Sequence, residues 1–286
     1  VGDANLDLVL RGDVVPRFGQ AEQLIDAADV VLGSSAGICA SGLARLGVET
    51  TLCARVGDDL FGRETLRLLT ENGVGVSEVS AVGAPTGLSV ILSAPADRAI
   101  LTLGGAMVTL TADAVLPAVR RTTATHVHFA SYFLLPDLAA GLPAVLAELR
   151  DHGLTTSLDT NWDPAERWQG VADCLPLVDV LLPNANEALA LARLVTDPAA
   201  RSHGLRYEIP DVAVEIDADE HGLGSFVATL AGFLAHDVGV WVTGAGAESL
   251  CARAHLQDDR IRVGPVPDDI RRRTRFVVAV TGRPVL

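Results

Sequence analysis

"LGSSAGICASGLARLG", residues Leu32 to Gly47, decides the fold. The apolar run Val30 to Leu32 enters a turn of small residues, a helical pattern occupies Ala40 to Leu46, and a second apolar run, Val48 to Leu52, follows Gly47. Strand, turn, helix and strand succeed one another within a short span, and the turn is built so that backbone can come close to a ligand.

The same alternation continues in the rest of the chain. Amphipathic helices are predicted at Glu64 to Leu69, Leu142 to Leu149 and Glu187 to Leu194, and short buried strands at His126 to Phe129, Thr155 to Leu158, Val178 to Leu182 and Val238 to Val242. Such spacing predicts a mainly parallel sheet with helices on both faces. Two stretches, Asp7 to Val31 and Thr86 to Ala106, instead alternate polar with apolar residues, and an accessory sheet is expected from them. The polar insertion Asp197 to Glu220 suggests no function.

Composition narrows the chemistry. With 286 residues, 49% of them hydrophobic, the chain can bury a substantial core. No run approaches the ~18 apolar residues of a membrane span, so a cytoplasmic protein is expected. The formal charge of −14 disfavours nucleic acid and anionic membrane as partners. Cys39, Cys53, Cys174 and Cys251 are too scattered for a C-x-x-C motif. All 22 basic residues are arginine. Without lysine, a Walker A loop, a protein-kinase strand lysine and Schiff-base chemistry are excluded.

Several motifs bear on function. "GSSAG" at Gly33 to Gly37 fits G-x-S-x-G, which would make Ser35 a hydrolase nucleophile, but it comes too early in the chain and lacks an oxyanion-loop segment. His126 and His128 alternate on a strand without a third metal ligand and read as ordinary strand histidines. "DTNWDP" (Asp159 to Pro164) and "PNANEA" (Pro183 to Ala188) each follow a strand, where open α/β sheets place ligands. In the second, Asn184 and Glu187 also fit a capping box.

Taken in order, these pieces resemble the PfkB/ribokinase family of sugar kinases. "GDANLDLVL" (Gly2 to Leu10) is similar to the family's opening strand, and "LGSSAGICASGLARLG" to its first signature. "ARVGDDLFG" (Ala54 to Gly62), "TGLSVIL" (Thr86 to Leu92), "SLDTNWDP" and "PNANEA" follow in family order. The resemblance implies a ribokinase-like three-layer α/β/α sandwich, one domain over residues 1–286, with a small β lid from segments 7–31 and 86–106. It implies ATP and Mg²⁺ as cofactors, a small-molecule sugar as substrate, and a homodimer paired through the lid. Asn5, Asp7, Gly33 and Ser34 would meet the sugar, with Asn161 a further candidate. Asn184 and Glu187 would organise Mg²⁺ and phosphate indirectly, and Thr243 and Ala245 would lie by the nucleotide.

The departures from the pattern are as informative. Ile38 stands where the family has a sugar-contacting Asn, Ser34 replaces the second glycine of the turn, and Ala245 and Glu248 replace glycines after Thr243. Set against the family's D-T-x-G-A-G-D motif, "PDDIRRRTRF" (Pro267 to Phe276) puts Arg271, Arg272 and Arg273 in place of Gly-Ala-Gly and Thr274 in place of the catalytic Asp. Arginines bind phosphate through their side chains but cannot form a cradle of bare backbone amides. Threonine is no general base near neutral pH. An impaired kinase, or a sugar-binding relative without turnover, is therefore expected. Two explanations compete for the substitution, a natural non-catalytic relative that still binds a sugar and a shifted reading frame that ends the chain about ten residues after Phe276, and the second is the favoured expectation.

Overall fold

The computed structural model describes residues 1–184 except 20–21 and 95–96, then 186–187 and 190–191, and, as backbone strands, 212–217, 240–243, 261–263 and 277–281. Ala245, Glu248, Arg271, Arg273 and Thr274 lie outside the described residues, as does most of the 197–220 insertion. The chain divides into two compact units, Val1–Leu149 and Arg150–Leu286.

In the first unit the order is β1 (Leu6–Arg11), β2 (Ala27–Leu32), α1 (Ser35–Arg45), β3 (Thr51–Gly57), α2 (Leu60–Glu71), β4 (Gly75–Val82), β5 (Leu88–Ser93) and β6 (Arg98–Leu103). Then come α3 (Val115–Arg120), β7 (His126–Phe129) and α4 (Pro136–Asp151), whose last turn crosses the unit boundary. The strand expected at Val48 to Leu52 begins later, at Thr51, and the physical reason is the exit of α1. Gly47, at φ 84°, sends its N–H to the Ala44 carbonyl while the Val48 N–H reaches Leu43. This is a Schellman closure, which claims the residues just after the helix and leaves Val48 51% exposed. Helix α1 also starts earlier than its apolar periodicity, because Ser34 caps it, accepting from the Gly37 N–H at 3.2 Å.

One core cluster of the first unit is small-residue packing. Ala4, Ala36, Ala40, Ala54 and Ala130 surround Leu52, Val56, Leu69 and Val74, and these short side chains let α1 lie close on β3. A polar knot secures the turn between β3 and α2. Asp59 caps α2 through Gly62 N–H (2.8 Å) and also accepts from the Thr86 N–H (2.8 Å) and hydroxyl (2.7 Å). Gly57 N–H in turn donates to the Thr86 hydroxyl oxygen at 2.8 Å. Any side chain at Gly62 would run into the Gly57 carbonyl. Asp58 to Gly62 and Thr86 are thus one structural device, although they lie far apart in the sequence.

Strands β2, β1, β5 and β6 make a four-stranded sheet in that order, with β1 parallel to β5 and the two outer pairs antiparallel. Its register separates two faces. Leu6, Leu8, Leu10, Ala28, Val30, Leu32, Leu88, Val90, Leu92, Ala99, Leu101 and Leu103 share one face, on which every position is aliphatic. Asp7, Val9, Arg11, Ala27, Asp29, Val31, Ser89, Ile91, Ser93, Arg98, Ile100 and Thr102 share the other.

In the second unit β8 (Thr155–Leu158) pairs in parallel with β9 (Val180–Leu181), and α5 (Val171–Cys174) lies between them in sequence. Strands β10 (Val212–Asp217), β11 (Val240–Thr243), β12 (Ile261–Val263) and β13 (Val277–Thr281) form a second sheet, wholly parallel, in the order β12-β11-β10-β13. No helix among the described residues is long and apolar enough to cross a membrane.

Candidate active site

The first unit brings Asn5, Asp7, Gly33 and Ser34 together. Asp7 points from β1 onto the turn between β2 and α1, with its carboxylate directly against the Cα of Gly33, so that a Cβ there would overlap it. The turn is pinned to β1 by the Gly33 N–H, which donates to the Asn5 carbonyl at 3.0 Å. Asn5 is buried, and its Nδ2 donates to the Leu6 carbonyl (3.1 Å) and to Asp7 Oδ1 (3.4 Å). Its amide therefore orients the carboxylate and is not presented to solvent. Ser34 sits at φ 68°, a backbone region that glycine enters without strain, which explains the glycine usual at this position in the resemblance.

Two contributors to this cluster were not assigned a role from sequence. Asp3 is buried and accepts from the Ser35 N–H (3.3 Å) and the Ala36 N–H (3.0 Å), tying the amino-terminal segment to the positive end of α1. Ser89 stands opposite Asp7 in the β1–β5 register, works against the rise of the Asp7 carboxyl, and lies 3.1 Å from the Thr102 hydroxyl. The cross-strand register would have exposed Ser89 as a partner, had the pairing of β1 with β5 been legible.

Electrostatics disfavour the charged form of Asp7. Burial first, and then the nearby Asp3 charge, raise its carboxyl above the usual range, while Ser89 and Arg98 work the other way. Asp3 is raised as well, by its own burial, against the hydrogen bonds it accepts. A half-buried carboxylate with unfilled acceptor capacity is stabilised when a ligand hydroxyl donates to it. Ser35 opens α1 with its N–H given to Asp3, and the positive φ falls on Ser34, one residue before the position a nucleophile elbow would need.

The second unit carries a separate polar cluster. Asn184 and Glu187 form the reciprocal box foreseen from their spacing. Glu187 N–H donates to Asn184 Oδ1 (3.0 Å), and the Glu187 carboxylate accepts from the Asn184 N–H (3.0 Å) and from Asn184 Nδ2. Glu187 is only 4% exposed. Burial, with the Asp159 charge adding to it, pushes its carboxyl up to about 7 against hydrogen bonding from Asn184. Asp159 follows β8 directly and holds the next turn through the Asn161 N–H (3.2 Å), with Asn161 at φ 57°. Asp163 continues the loop, accepting from the N–H groups of Ala165, Arg167 and Trp168. Thr243 closes β11.

These residues suit Mg²⁺ through the chemistry of the donors. The divalent ion takes one or two carboxylates and retains several waters. The Asp159 charge adds to the cost of ionising Glu187, and a cation would relieve that. Among the described residues no group of three or more His, Cys, Asp or Glu converges as an all-protein cage, so water and phosphate oxygens would complete the shell.

A family model described as pfkB family carbohydrate kinase matches residues 35–203. Among solved structures the chain resembles the PfkB protein from Polaromonas sp. JS666, at 19% identity over 86% of this chain and 75% of that one, with a TM-score of 0.58. It also resembles a putative ribokinase II from E. coli in complex with ATP and Mg²⁺ (19%, 86% and 71%, TM-score 0.57). A fructokinase from Xylella fastidiosa with bound ATP is similar as well (19%, 85% and 70%, TM-score 0.55). No curated protein matches in sequence. The structural likeness shows a ribokinase-like α/β fold. With a family model matching more than half of its length, the chain belongs to the pfkB family of carbohydrate kinases.

Proposed function

We propose that the family activity is here the transfer of the ATP γ-phosphoryl group to a sugar hydroxyl, and that this chain performs it poorly. The observation that supports the acceptor role is the Asp7 carboxylate held over Gly33. Asp7 accepts from sugar hydroxyls, Asn5 and Ser89 fix its direction, and the bare Cα of Gly33 lets the sugar approach beside it. Ser34 and Asn161 are further substrate contacts on this reading.

In the second unit Asn184 and Glu187 take the metal-organising role, through water, with Asp159 as the neighbouring charge. When bound, Mg²⁺ supplies neutralisation of the charge that builds on the transferring phosphoryl group. Thr243 and Ala245 lie by the nucleotide, and Arg271 and Arg273 meet phosphate electrostatically. Position 274 is where a base must take the hydroxyl proton, and it holds Thr. Loss of a general base costs on the order of 10²–10⁴ in rate. A lost anion-hole donor costs about 10²–10³.

Calorimetry with a panel of sugars, run beside an ATP-consumption assay, tests this. Sugar binding with slow turnover is the expected result, and replacing Thr274→Asp with Arg271→Gly and Arg273→Gly raises turnover at least tenfold. No gain overturns the assignment of position 274. Binding with no turnover in either chain selects the second reading, a sugar-binding relative, which the arginines in place of Gly-Ala-Gly favour.

The family reading also carries a homodimer and a cytoplasmic location, with the four-stranded sheet acting as a lid. Its wholly aliphatic face, where Val30 is 55%, Leu101 61% and Leu103 54% exposed, supports pairing with a second copy. Leu101→Glu should convert a dimer to a monomer in sedimentation. An unchanged mass for this variant, or a monomeric starting protein, rejects that role for the face.

A further inference from the structure

A cavity of about 460 Å³ in the first unit is lined by β3 and β7, two strands that fall in different sheets. Residues 48–53 form one flank and residues 122–128 the other, so the two are of similar length. Ala36, Ala40 and Leu43 face it from a single stripe of α1, and Ala118 and Val119 from α3. At a water's share of ~30 Å³ the space equals about fifteen molecules, far more than a close-packed interior leaves open.

Val1 lines the cavity, and with Gly2 it already makes the bonds of a strand residue. The Val1 amine donates to the His128 carbonyl at 2.8 Å, and the Ala130 N–H returns a bond to the Val1 carbonyl at 3.0 Å. These two bonds are one rung of a parallel ladder with β7. On the other side the Gly2 N–H donates to the Cys53 carbonyl of β3 at 3.1 Å. Backbone groups two residues back along a strand point the same way. Thr51 and His126 therefore turn their carbonyls toward the space that continues the line of Val1. Burial holds the Val1 amine below its usual range, a cost that a peptide N–H making the same bond does not carry.

We propose that this cavity is a strand site, and that its occupant is an extended, apolar stretch of about five residues leading directly into Val1, parallel to β3 and β7. The residue adjoining Val1 donates to the Thr51 carbonyl, and the one before it to the His126 carbonyl. With helices packed on it, such a strand is a continuous run of Val and Ile rather than an alternation with polar residues. A covalently joined segment is favoured over a separate peptide, since its end must meet Val1 and it gives up no freedom of a second molecule. Seating it pins the segment that carries Asp3, Asn5 and Asp7, so on the carbohydrate-kinase reading it also steadies the acceptor side.

Three full-length chains test this, one beginning at Val1, one with five Val and Ile residues joined ahead of it, and one with five Gly and Ser residues. The apolar extension should raise the melting temperature by about 5 °C or more over the Gly-Ser chain. It should also slow alkylation of Cys39, which lines the cavity, at least several-fold. Proline as the residue adjoining Val1 removes the donor to Thr51 and should cancel most of the gain. Cys39→Leu should have opposite signs in the two settings, filling space in the Gly-Ser chain and overpacking the apolar one. Equal melting temperatures and alkylation rates for the two extensions overturn the strand site. So does a gain that proline leaves intact, or a Cys39→Leu effect of one sign in both chains, because the apolar residues then bind elsewhere. If the apolar chain does not fold, the same five residues added as a free peptide to the chain beginning at Val1 must still slow Cys39 alkylation, and failure at millimolar peptide overturns the proposal. Sugar affinity is measured separately, so a chain that gains stability without binding any sugar keeps the strand site and rejects only the kinase reading.

Discussion

Replacing Glu187→Gln probes the second cluster most directly. The carboxyl of Glu187 is raised from 4.5 to about 7, mainly by burial, so the folded chain holds a proton there that the unfolded chain has released. The stability associated with the neutral form is complete below pH 4.5 and is lost as pH rises through about 7. At ~1.4 kcal/mol per pH unit, that interval sets a ceiling of about 3 kcal/mol on the loss. Glutamine carries no charge to desolvate, but it presents an NH₂ to one of the two Asn184 donors and gives up a bond worth about 1 kcal/mol. The variant should therefore be about 1 kcal/mol less stable than the parent near pH 4.5 and about 2 kcal/mol more stable at pH 8. Urea unfolding of both chains across this range measures the difference, in which the other titrating groups cancel. A difference that stays constant from pH 4.5 to 8 would refute the claim that Glu187 is buried beside a like charge.

Two further predictions concern the turn before α1. Gly33→Ala places a methyl group on the Asp7 carboxylate, so sugar affinity should fall at least tenfold in calorimetry while circular dichroism stays unchanged; unimpaired binding would remove Asp7 from the site. Ser34→Gly relieves a positive φ at a cost of only a few tenths of a kcal/mol in capping, and the melting temperature should rise by a few degrees, whereas a fall would mean the cap outweighs the strain.

Much of this arrangement was legible in the sequence. The spacing of Asn184 and Glu187 predicts a capping box, and the structure contains it bond for bond, because such a box is local and needs only a helix start. Asp7 and Gly33 were named from motif resemblance, but their contact depends on β1 lying beside the turn, which local patterning does not encode. Asp3 went unassigned for the same reason, since its partners at Ser35 and Ala36 are more than thirty residues away. The strand expected at Val48 began late because a helix exit held by backbone bonds leaves no trace in hydrophobicity. Asn5 was named from the resemblance, and that its amide donates to Asp7 is a detail only the direction of a side chain reveals.

The knot at Thr86 has a mechanical consequence. Thr86 lies two residues before β5, and Asp59 and Gly57 hold it from both its backbone and its hydroxyl. That end of the small sheet is anchored to the stem of α2, so any swing of the sheet over a ligand must pivot there and gather amplitude toward the Ser93 and Arg98 end. Leverage of this kind leaves Asp7, close to the fulcrum, almost stationary while the far row travels.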